Sequence, residues 1–148
     1  MRLPPKSAVR TLLTGLAALG LSAAGATADV EYTVVDLGTL GGTNSEATGI
    51  NDRSQVVGWA KDANGRTQAF LWEHGTLTGL GFLTNRWSNS VALAINNQGE
   101  ITGYSSITST NVHAFRYATN QITDLGTLGG PNSWGRAINA NGDIAGSS

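Results

Sequence analysis

One phrase occurs three times in this chain and limits what the chain can fold into. The copies begin at Asn44, Asn89 and Asn132 and read NSEATGINDRSQVVG, NSVALAINNQGEITG and NSWGRAINANGDIAG. Asn and Gly favour tight turns, so the Ile-Asn step followed by a second apolar stretch predicts a β-hairpin in each copy. Small residues at alternate positions, such as Gly49 and Gly135, are predicted to let adjacent sheets approach closely.

The spacing of the copies predicts a repeat protein. The isoleucines of the phrase, Ile50, Ile95 and Ile138, are 45 and 43 residues apart. In the first two copies the phrase is followed by a related apolar segment, QAFLW from Gln68 and HAFRY from His113, whose aromatic residues are predicted to pack in the core. A shorter apolar segment ending in leucine comes next. Each unit of about 44 residues therefore contains about four strands, as a propeller blade does.

We predict an all-β protein of repeated four-stranded antiparallel units, arranged as a partial β-propeller-like array. The fourth strand of the unit is predicted over residues 32–37, 76–80 and 121–125. The units are predicted at about residues 32–75, 76–120 and 121–148. About two and a half blades cannot close a ring, so residues 29–148 are predicted to be an incomplete array, a piece of a longer one. A β-sandwich or a short solenoid is the alternative, because several short strands at this spacing also fit those folds.

The first 28 residues have the pattern of a secretory signal peptide. Arg2, Lys6 and Arg10 precede an apolar stretch over residues 11–25, and small residues then lead to Ala28. The apolar stretch is short for a membrane span and is interrupted by glycines. We therefore predict cleavage after Ala28 and a secreted protein, extracellular or periplasmic, with no membrane span after cleavage.

Charge and composition argue against several classes of function. Three of the nine basic residues and none of the ten acidic residues lie in the leader, so the rest of the chain has a net charge of −4. Such a surface offers no electrostatic footprint for nucleic acid. The chain contains no cysteine. Residues 139–143 faintly resemble part of a calcium loop but lack its distal glutamate, so no metal ion and no cofactor is predicted.

Candidate catalytic residues are few. His113 is one of only two histidines, and Gln68 replaces it at the equivalent position of the first unit, which favours a hydrogen-bonding role. His74 lies in a segment that is predicted to be a polar hairpin turn. Asp36 and Asp124 occupy equivalent positions in different units, so they are not predicted to form a glycosidase pair. No catalytic residue is therefore predicted.

The residues predicted to bind a ligand lie where the units diverge. Arg86 and Trp87 are in the second link between units, which is two residues longer than the others, and Trp134 lies within the third copy of the phrase. Recognition commonly uses variable loops on a constant scaffold. A Trp beside an Arg can stack on a sugar ring or on an aromatic ligand. The alternative is a Trp that covers the edge of a sheet.

Three motifs recur in a fixed order from about Tyr32 to the end of the chain. They are Asp-Leu-Gly-Thr-Leu-Gly-Gly, the phrase Asn-Ser-x-Ala-x-x-Ile-Asn-x-x-Gly-x-Ile-x-Gly, and His-Ala-Phe. In this combination they resemble the bacterial extracellular HAF repeats, which are named for the His-Ala-Phe tripeptide. The first unit departs from the pattern, with Gln68 in place of the histidine and Ser54 in place of a glycine. The resemblance implies a secreted or surface-associated, propeller-like repeat protein with no established activity.

The predicted function is that of an exported, non-enzymatic repeat protein that acts as an extracellular binding or structural module. Its partner would be an extracellular ligand such as a glycan or a protein, and unpaired sheet edges would also permit self-association. One alternative is a fragment of an extracellular propeller enzyme, a hydrolase or a lyase. Another is a carbohydrate-binding, lectin-like propeller. An enzyme should break the repeat with a carboxylate or histidine directed at the axis, and the sequence shows no such break.

Overall fold

A computed structural model describes residues 12–13 and 31–148 of the 148-residue chain. Within these residues the chain forms antiparallel strands and no helix, so the all-β prediction is confirmed. The predicted leader, residues 1–28 with cleavage after Ala28, lies outside the described residues except for residues 12 and 13. The strands are β1 (Leu12–Leu13), β2 (Tyr32–Thr33), β3 (Gly41–Ile50), β4 (Val56–Asp62), β5 (Thr67–Glu73), β6 (Thr76–Gly81), β7 (Ser90–Ile95), β8 (Ile101–Ser106), β9 (Val112–Ala118), β10 (Gln121–Asp124), β11 (Trp134–Ile138) and β12 (Ile144–Ser147).

Two four-stranded sheets and one hairpin make up most of the described chain. Strands β3 to β6 pair in chain order as sheet 1, and β7 to β10 pair in chain order as sheet 2. Strands β11 and β12 form hairpin 3, and β1 pairs with β2 in a separate two-stranded sheet. The four-stranded antiparallel units are thus present. The predicted unit boundaries after Gly75 and Asn120 fall in the turns of the β5–β6 and β9–β10 hairpins, so each sheet begins with the repeated phrase.

The strand predicted over residues 32–37 is wrong in extent, because only Tyr32–Thr33 is a strand. Its counterparts β6 and β10 pair with the third strand of their own sheet, and among the described residues no such strand precedes Val34. The chain after Thr33 instead lies across sheet 1. Leu37 is only 5% exposed there and packs with Val56 and Phe70.

The two-residue turns follow from the strand twist. His74 and Gly75 join β5 to β6 with φ angles of 49° and 83°, and Thr119 and Asn120 join β9 to β10 with φ angles of 50° and 60°. Positive φ at both central residues is the type I′ geometry, whose twist matches that of the flanking strands. His74 therefore occupies the hairpin turn that the sequence predicts.

The main core lies between sheet 1 and sheet 2. Val57 and Ala69 of sheet 1 pack against Ile101 and Phe115 of sheet 2, and Leu80 completes this cluster. Phe115 is fully buried, as is its counterpart Phe70 on the other face of sheet 1. The core role predicted for these phenylalanines is confirmed. Each sheet therefore needs a neighbouring segment to cover its apolar face.

Candidate functional site

The asparagine that follows each isoleucine organises its own turn. In sheet 2, Oδ1 of Asn96 accepts hydrogen bonds from the main-chain N–H groups of Gln98 at 3.0 Å and Glu100 at 2.9 Å. Its Nδ2 donates to Oε2 of Glu100 at 2.8 Å. Asn51 and Asn139 make the same set of bonds within their own turns. The turn chemistry predicted from the sequence is confirmed.

The same asparagines also join one unit to the next. Nδ2 of Asn51 donates to the main-chain oxygen of Asn96 at 2.9 Å, and Nδ2 of Asn96 donates to that of Asn139 at 2.9 Å. We call these three residues the asparagine ladder. Beside it, Nδ2 of Asn97 donates to Oδ2 of Asp52 at 2.6 Å. The turns are therefore held in a row, a role that the sequence alone did not predict.

The serine of the phrase makes a second set of bonds between units. Oγ of Ser90 accepts from the main-chain N–H of Ala69 at 2.9 Å and donates to the carbonyl of Gly81 at 2.7 Å. Ser133 accepts from Ala114 at 2.9 Å in the same way. Both serines are buried, so these bonds are made out of contact with water. The alanine of the Ala-Phe strand is thus the partner of the serine in the following unit.

The glycine near the end of each phrase makes room for a β-bulge. The register of the first two strands shifts between Ala47 and Gly49 in sheet 1, and it shifts at the equivalent point in sheet 2 and in hairpin 3. A Cβ added at Gly58, Gly103 or Gly146 would come within 1.9 Å of a main-chain oxygen of the bulged strand. No side chain fits at that distance, and glycine is required at this position of the repeat.

Small residues bring the units close together, as the sequence predicts. A Cβ on Gly135 of hairpin 3 would lie 2.0 Å from Oγ1 of Thr102 in sheet 2. A Cβ on Gly49 would lie 3.6 Å from the Cα of Ala94 in sheet 2 and 3.3 Å from the side chain of Val57. The phrase therefore supplies the packing surface as well as the hairpin.

Glu100 is the charged member of the second turn. Its carboxylate accepts hydrogen bonds from Nδ2 of Asn96 and from the guanidinium of Arg116. These bonds hold the pKa of Glu100 below its ordinary value, the one from Asn96 contributing most, although burial opposes them. The first unit has the neutral Gln55 at the equivalent position, and Asn51 bonds it in the same way. The turn therefore needs an acceptor there, and that acceptor is charged in sheet 2 and in hairpin 3, where Asp143 accepts from Nδ2 of Asn139.

His113 takes part in a contact between β9 and β10. Its Nδ1 is 3.0 Å from Oδ2 of Asp124. In the first unit both partners change together, because Gln68 stands for the histidine and Gly79 for the aspartate. A Cβ on Gly79 would lie 2.8 Å from Cδ of Gln68, so the glutamine side chain occupies the space that an aspartate would need. This paired replacement agrees with the hydrogen-bonding role predicted for His113.

Arg86 and Trp87 lie together in the second link, as their adjacency in the sequence requires. The guanidinium carbon of Arg86 is 5.4 Å from the centroid of the Trp87 ring, which is a cation–π contact. The main-chain N–H of Trp87 donates to Oγ1 of Thr84 at 3.3 Å. At the start of the same link, the guanidinium of Arg66 lies 5.3 Å from the ring centroid of Phe82. The link thus supplies the aromatic ring of two aromatic–arginine contacts, one with its own Arg86 and one with Arg66 of the β4–β5 turn.

Arg66 and Phe82 are additions to the predicted site. Arg66 ends the β4–β5 turn, and its Nε is 2.7 Å from Oδ2 of Asp62. Burial raises the pKa of Asp62, but hydrogen bonds from Arg66 and the main-chain N–H of Asn64 outweigh it and hold that pKa below its ordinary value. The signal available in the sequence was the divergence of this turn from its counterpart in the second unit.

Trp134, the third predicted ligand-binding residue, lies in hairpin 3. It is half-buried on β11 and lines an open cleft of about 210 Å³ between hairpin 3 and the link that follows β10. Arg86 and Trp87 are not part of the lining of this cleft. The structure therefore brings Arg86 and Trp87 together and places Trp134 at a separate site.

In residues 12–13 and 31–148, no group of three or more His, Asp or Glu residues is placed to hold a metal ion. The same residues contain no helix with the length and apolar character needed to cross a membrane. Comparison of the chain with protein-family models, with curated proteins and with solved structures finds no match.

Proposed function

We propose that the chain is an exported, non-enzymatic repeat scaffold of the HAF type whose divergent second link binds an extracellular partner. One observation carries this proposal. The residues that recur in the copies are occupied by turn, inter-sheet and packing contacts, as the asparagine ladder and Ser90 illustrate. The aromatic–arginine pairs occur where the copies diverge. Constant positions therefore serve the fold, and variable positions are left for recognition.

We also propose that the units are arranged radially, as in a propeller. The first strands β3, β7 and β11 pack against one another in succession, whereas the last strands β6 and β10 make only marginal contact. Sheets that approach at one edge and separate at the other diverge like blades. The two sheets of a sandwich stay roughly parallel, about 10 Å apart. This difference supports the propeller-like arrangement over the sandwich.

The chemistry of the second link favours a glycan as the partner. Trp87 offers a flat apolar ring, and Arg86 beside it offers hydrogen-bond donors. A sugar ring has an apolar face for stacking and hydroxyl oxygens that accept hydrogen bonds. The basic n-region, apolar stretch and small residues of the leader support export to a place where such a glycan would be met.

A glycan array probed with the purified full-length chain tests this function. Binding to at least one glycan class is expected, and Trp87→Ala and Arg86→Ala should each weaken it. Tyr32→Ala is the matched control, because Tyr32 is a 61% exposed aromatic residue outside the link. Equal binding by all three variants and the unchanged chain would rule out the second link as the site. Release of sugar from the bound glycan would favour the hydrolase or lyase alternative.

A further inference from the structure

The β4–β5 turn and the second link lie at the same end of sheet 1. Ala69, near the start of β5, is paired with Gly81 at the end of β6, so the link leaves the sheet beside the turn. The contact of the Arg66 guanidinium with the Phe82 ring, at 5.3 Å, joins the two segments directly. They therefore form one continuous surface. We call residues 61–66 and 82–89 together the turn–link surface.

Positive charge is concentrated on the turn–link surface. Six lysines and arginines follow the predicted leader, and three of them, Lys61, Arg66 and Arg86, lie in this surface. Of the ten acidic residues of the chain, only Asp62 lies there. Three basic residues and one acidic residue give the surface a net charge of +2, whereas the chain after the leader has a net charge of −4. The surface is thus a basic patch on an acidic protein.

The one carboxylate of the surface is directed into the turn. Asp62 is only 8% exposed. Its Oδ1 accepts from the main-chain N–H groups of Asn64 and Arg66, and its Oδ2 accepts from Nε of Arg66 at 2.7 Å. The Arg66 side chain is itself 46% exposed, and its two terminal nitrogens donate to no other described residue. The charge that this surface presents to solvent is therefore positive.

Arg86 is held in place without a carboxylate. It is exposed, and among the described residues its guanidinium forms no ion pair. Its contact is with the Trp87 ring, at 5.4 Å. A cation–π contact leaves the N–H donors of a guanidinium unused, and those donors match the paired oxygens of a carboxylate or a sulfate. Because Trp87 already restrains the side chain, less conformational freedom is lost when Arg86 binds an anion.

The repeated fold does not require these three cations. The equivalent positions of the other four-stranded unit hold neutral residues, namely Ser106 for Lys61, Asn111 for Arg66 and Gly41 for Arg86. Both sheets nevertheless form the same four strands in the same order. The positive charge is therefore a departure from the repeat, confined to the surface that carries the two aromatic–arginine contacts.

We propose that the turn–link surface binds an acidic glycan, a chain of sugars that carry carboxylate or sulfate groups. One acidic group binds the free N–H donors of Arg86, and a second group along the same chain binds Arg66. Lys61 lines an open cleft of about 430 Å³ beside the turn and extends the positive surface toward β3. This inference rests on the proposed function, glycan binding at the second link, and adds the chemical class of the glycan.

Isothermal titration calorimetry with the full-length chain and two matched pairs of oligosaccharides tests this class. Oligogalacturonate and its methyl ester differ in the carboxylate charge, and sulfated dextran and dextran differ in the sulfate. In at least one pair the charged member should bind about 10-fold more tightly, and this preference should shrink as salt is added. The pair that shows the preference identifies the acidic group. Equal binding within both pairs would overturn the acidic class but leave glycan binding intact, whereas binding of no glycan would contradict the proposed function as well.

A pair of protein variants locates the acidic group. Arg86→Gln removes the charge from a side chain that makes no ion pair in the described fold, and it should reduce the preference for the charged sugar about 10-fold. Arg136→Gln is the control, because Arg136 is an exposed arginine on β11, outside the turn–link surface, and its loss changes the net charge equally. This variant should keep the preference. Circular dichroism checks that both variants fold.

Two results would show that general charge attraction, and not a glycan site, is responsible. One is an equal loss of preference in Arg86→Gln and Arg136→Gln. The other is binding of poly-L-glutamate, an acidic chain without sugar rings, as tightly as the charged oligosaccharide. Either result would overturn the inference. Weak binding of poly-L-glutamate together with a loss confined to Arg86→Gln would support it.

Discussion

Nδ2 of Asn51 lies 2.9 Å from the main-chain oxygen of Asn96, a residue 45 positions further along the chain. The amide of Asn51 also bonds within its own turn, so a single short side chain shapes one hairpin and fixes its distance from the next. Asn96 repeats the arrangement toward Asn139. A change at one asparagine therefore affects two units at once.

Replacement of Asn96 tests the energetic role of the ladder. Asn96→Ala removes four hydrogen bonds from a residue that is only 5% exposed. We expect the free energy of unfolding to fall by about 2–4 kcal/mol, since buried groups lose their partners. Urea unfolding followed by circular dichroism measures the loss. Asn139→Ala is the control. Asn139 is exposed and makes no inter-unit donation among the described residues, so its cost should be about 1 kcal/mol. Equal losses would show that only the turn matters.

Ser90→Ala tests the bond between the phrase and the preceding Ala-Phe strand. The change leaves the N–H of Ala69 and the carbonyl of Gly81 without their serine partner in a fully buried place. The expected loss of unfolding free energy is about 1–3 kcal/mol. Ser45→Ala is the matched change in the first unit, where the serine donates to Gly38. Because no bond from the Ser45 hydroxyl to an Ala-Phe strand is described, thermal melts should show a smaller loss for that variant.

Gly103→Ala tests the requirement for glycine at the bulge. The new Cβ would lie 1.9 Å from the main-chain oxygen of Val91, and a backbone atom cannot move aside as a side chain can. We expect a loss of about 3 kcal/mol, or failure to fold. Gly130→Ala is the control, because its Cβ would come no closer than 3.8 Å to any atom beyond its two neighbours in the chain. If differential scanning calorimetry gives the two variants the same midpoint, the close approach at Gly103 has no energetic importance.

Glu100 should make stability depend on pH. The folded state holds the pKa of Glu100 below its ordinary value, so folding favours the charged form. The stabilisation is therefore fully present above the ordinary pKa of about 4.3 and is lost as pH falls through the lower pKa of the folded state. The difference in unfolding free energy between the unchanged chain and Glu100→Gln, measured in urea, should be largest at about pH 7 and should shrink as the pH falls below the ordinary pKa of Glu. A difference that stays constant with pH would contradict this role of the charge.

The hairpins and their four-strand grouping could be predicted because the residues that specify them are local. An Asn-to-Gly turn after a β-branched residue acts within a few positions, and its repetition at fixed spacing makes the pattern clear. The hydrogen bond from Nδ2 of Asn51 to Asn96 could not be predicted in this way. Its acceptor lies in another unit, and only the fold brings the two residues together. The contact of Arg66 with Phe82 could not be predicted for the same reason.

The strand predicted over residues 32–37 shows where prediction from the local sequence fails. The segment has the apolar residues of a strand, but a strand also needs a partner with free main-chain groups. Residues 35–40 bury Leu37 on the face of sheet 1 instead, and they satisfy part of their polar groups locally, as when Gly38 donates to Asp36 at 2.8 Å. Local composition therefore predicted strand pairing that the structure has only at Tyr32–Thr33.

The asparagine ladder gives the array a direction. Both of its donations between units run from a turn to its successor, from Asn51 to Asn96 and from Asn96 to Asn139, although Asn97 beside the ladder donates back to Asp52. Opening of hairpin 3 would cost the amide of Asn96 an acceptor, whereas opening of sheet 1 would leave the carbonyl of Asn96 still bonded to the N–H of Gly99. The ladder itself is thus vectorial, because the amide of each of these two turns is completed by the turn that follows it.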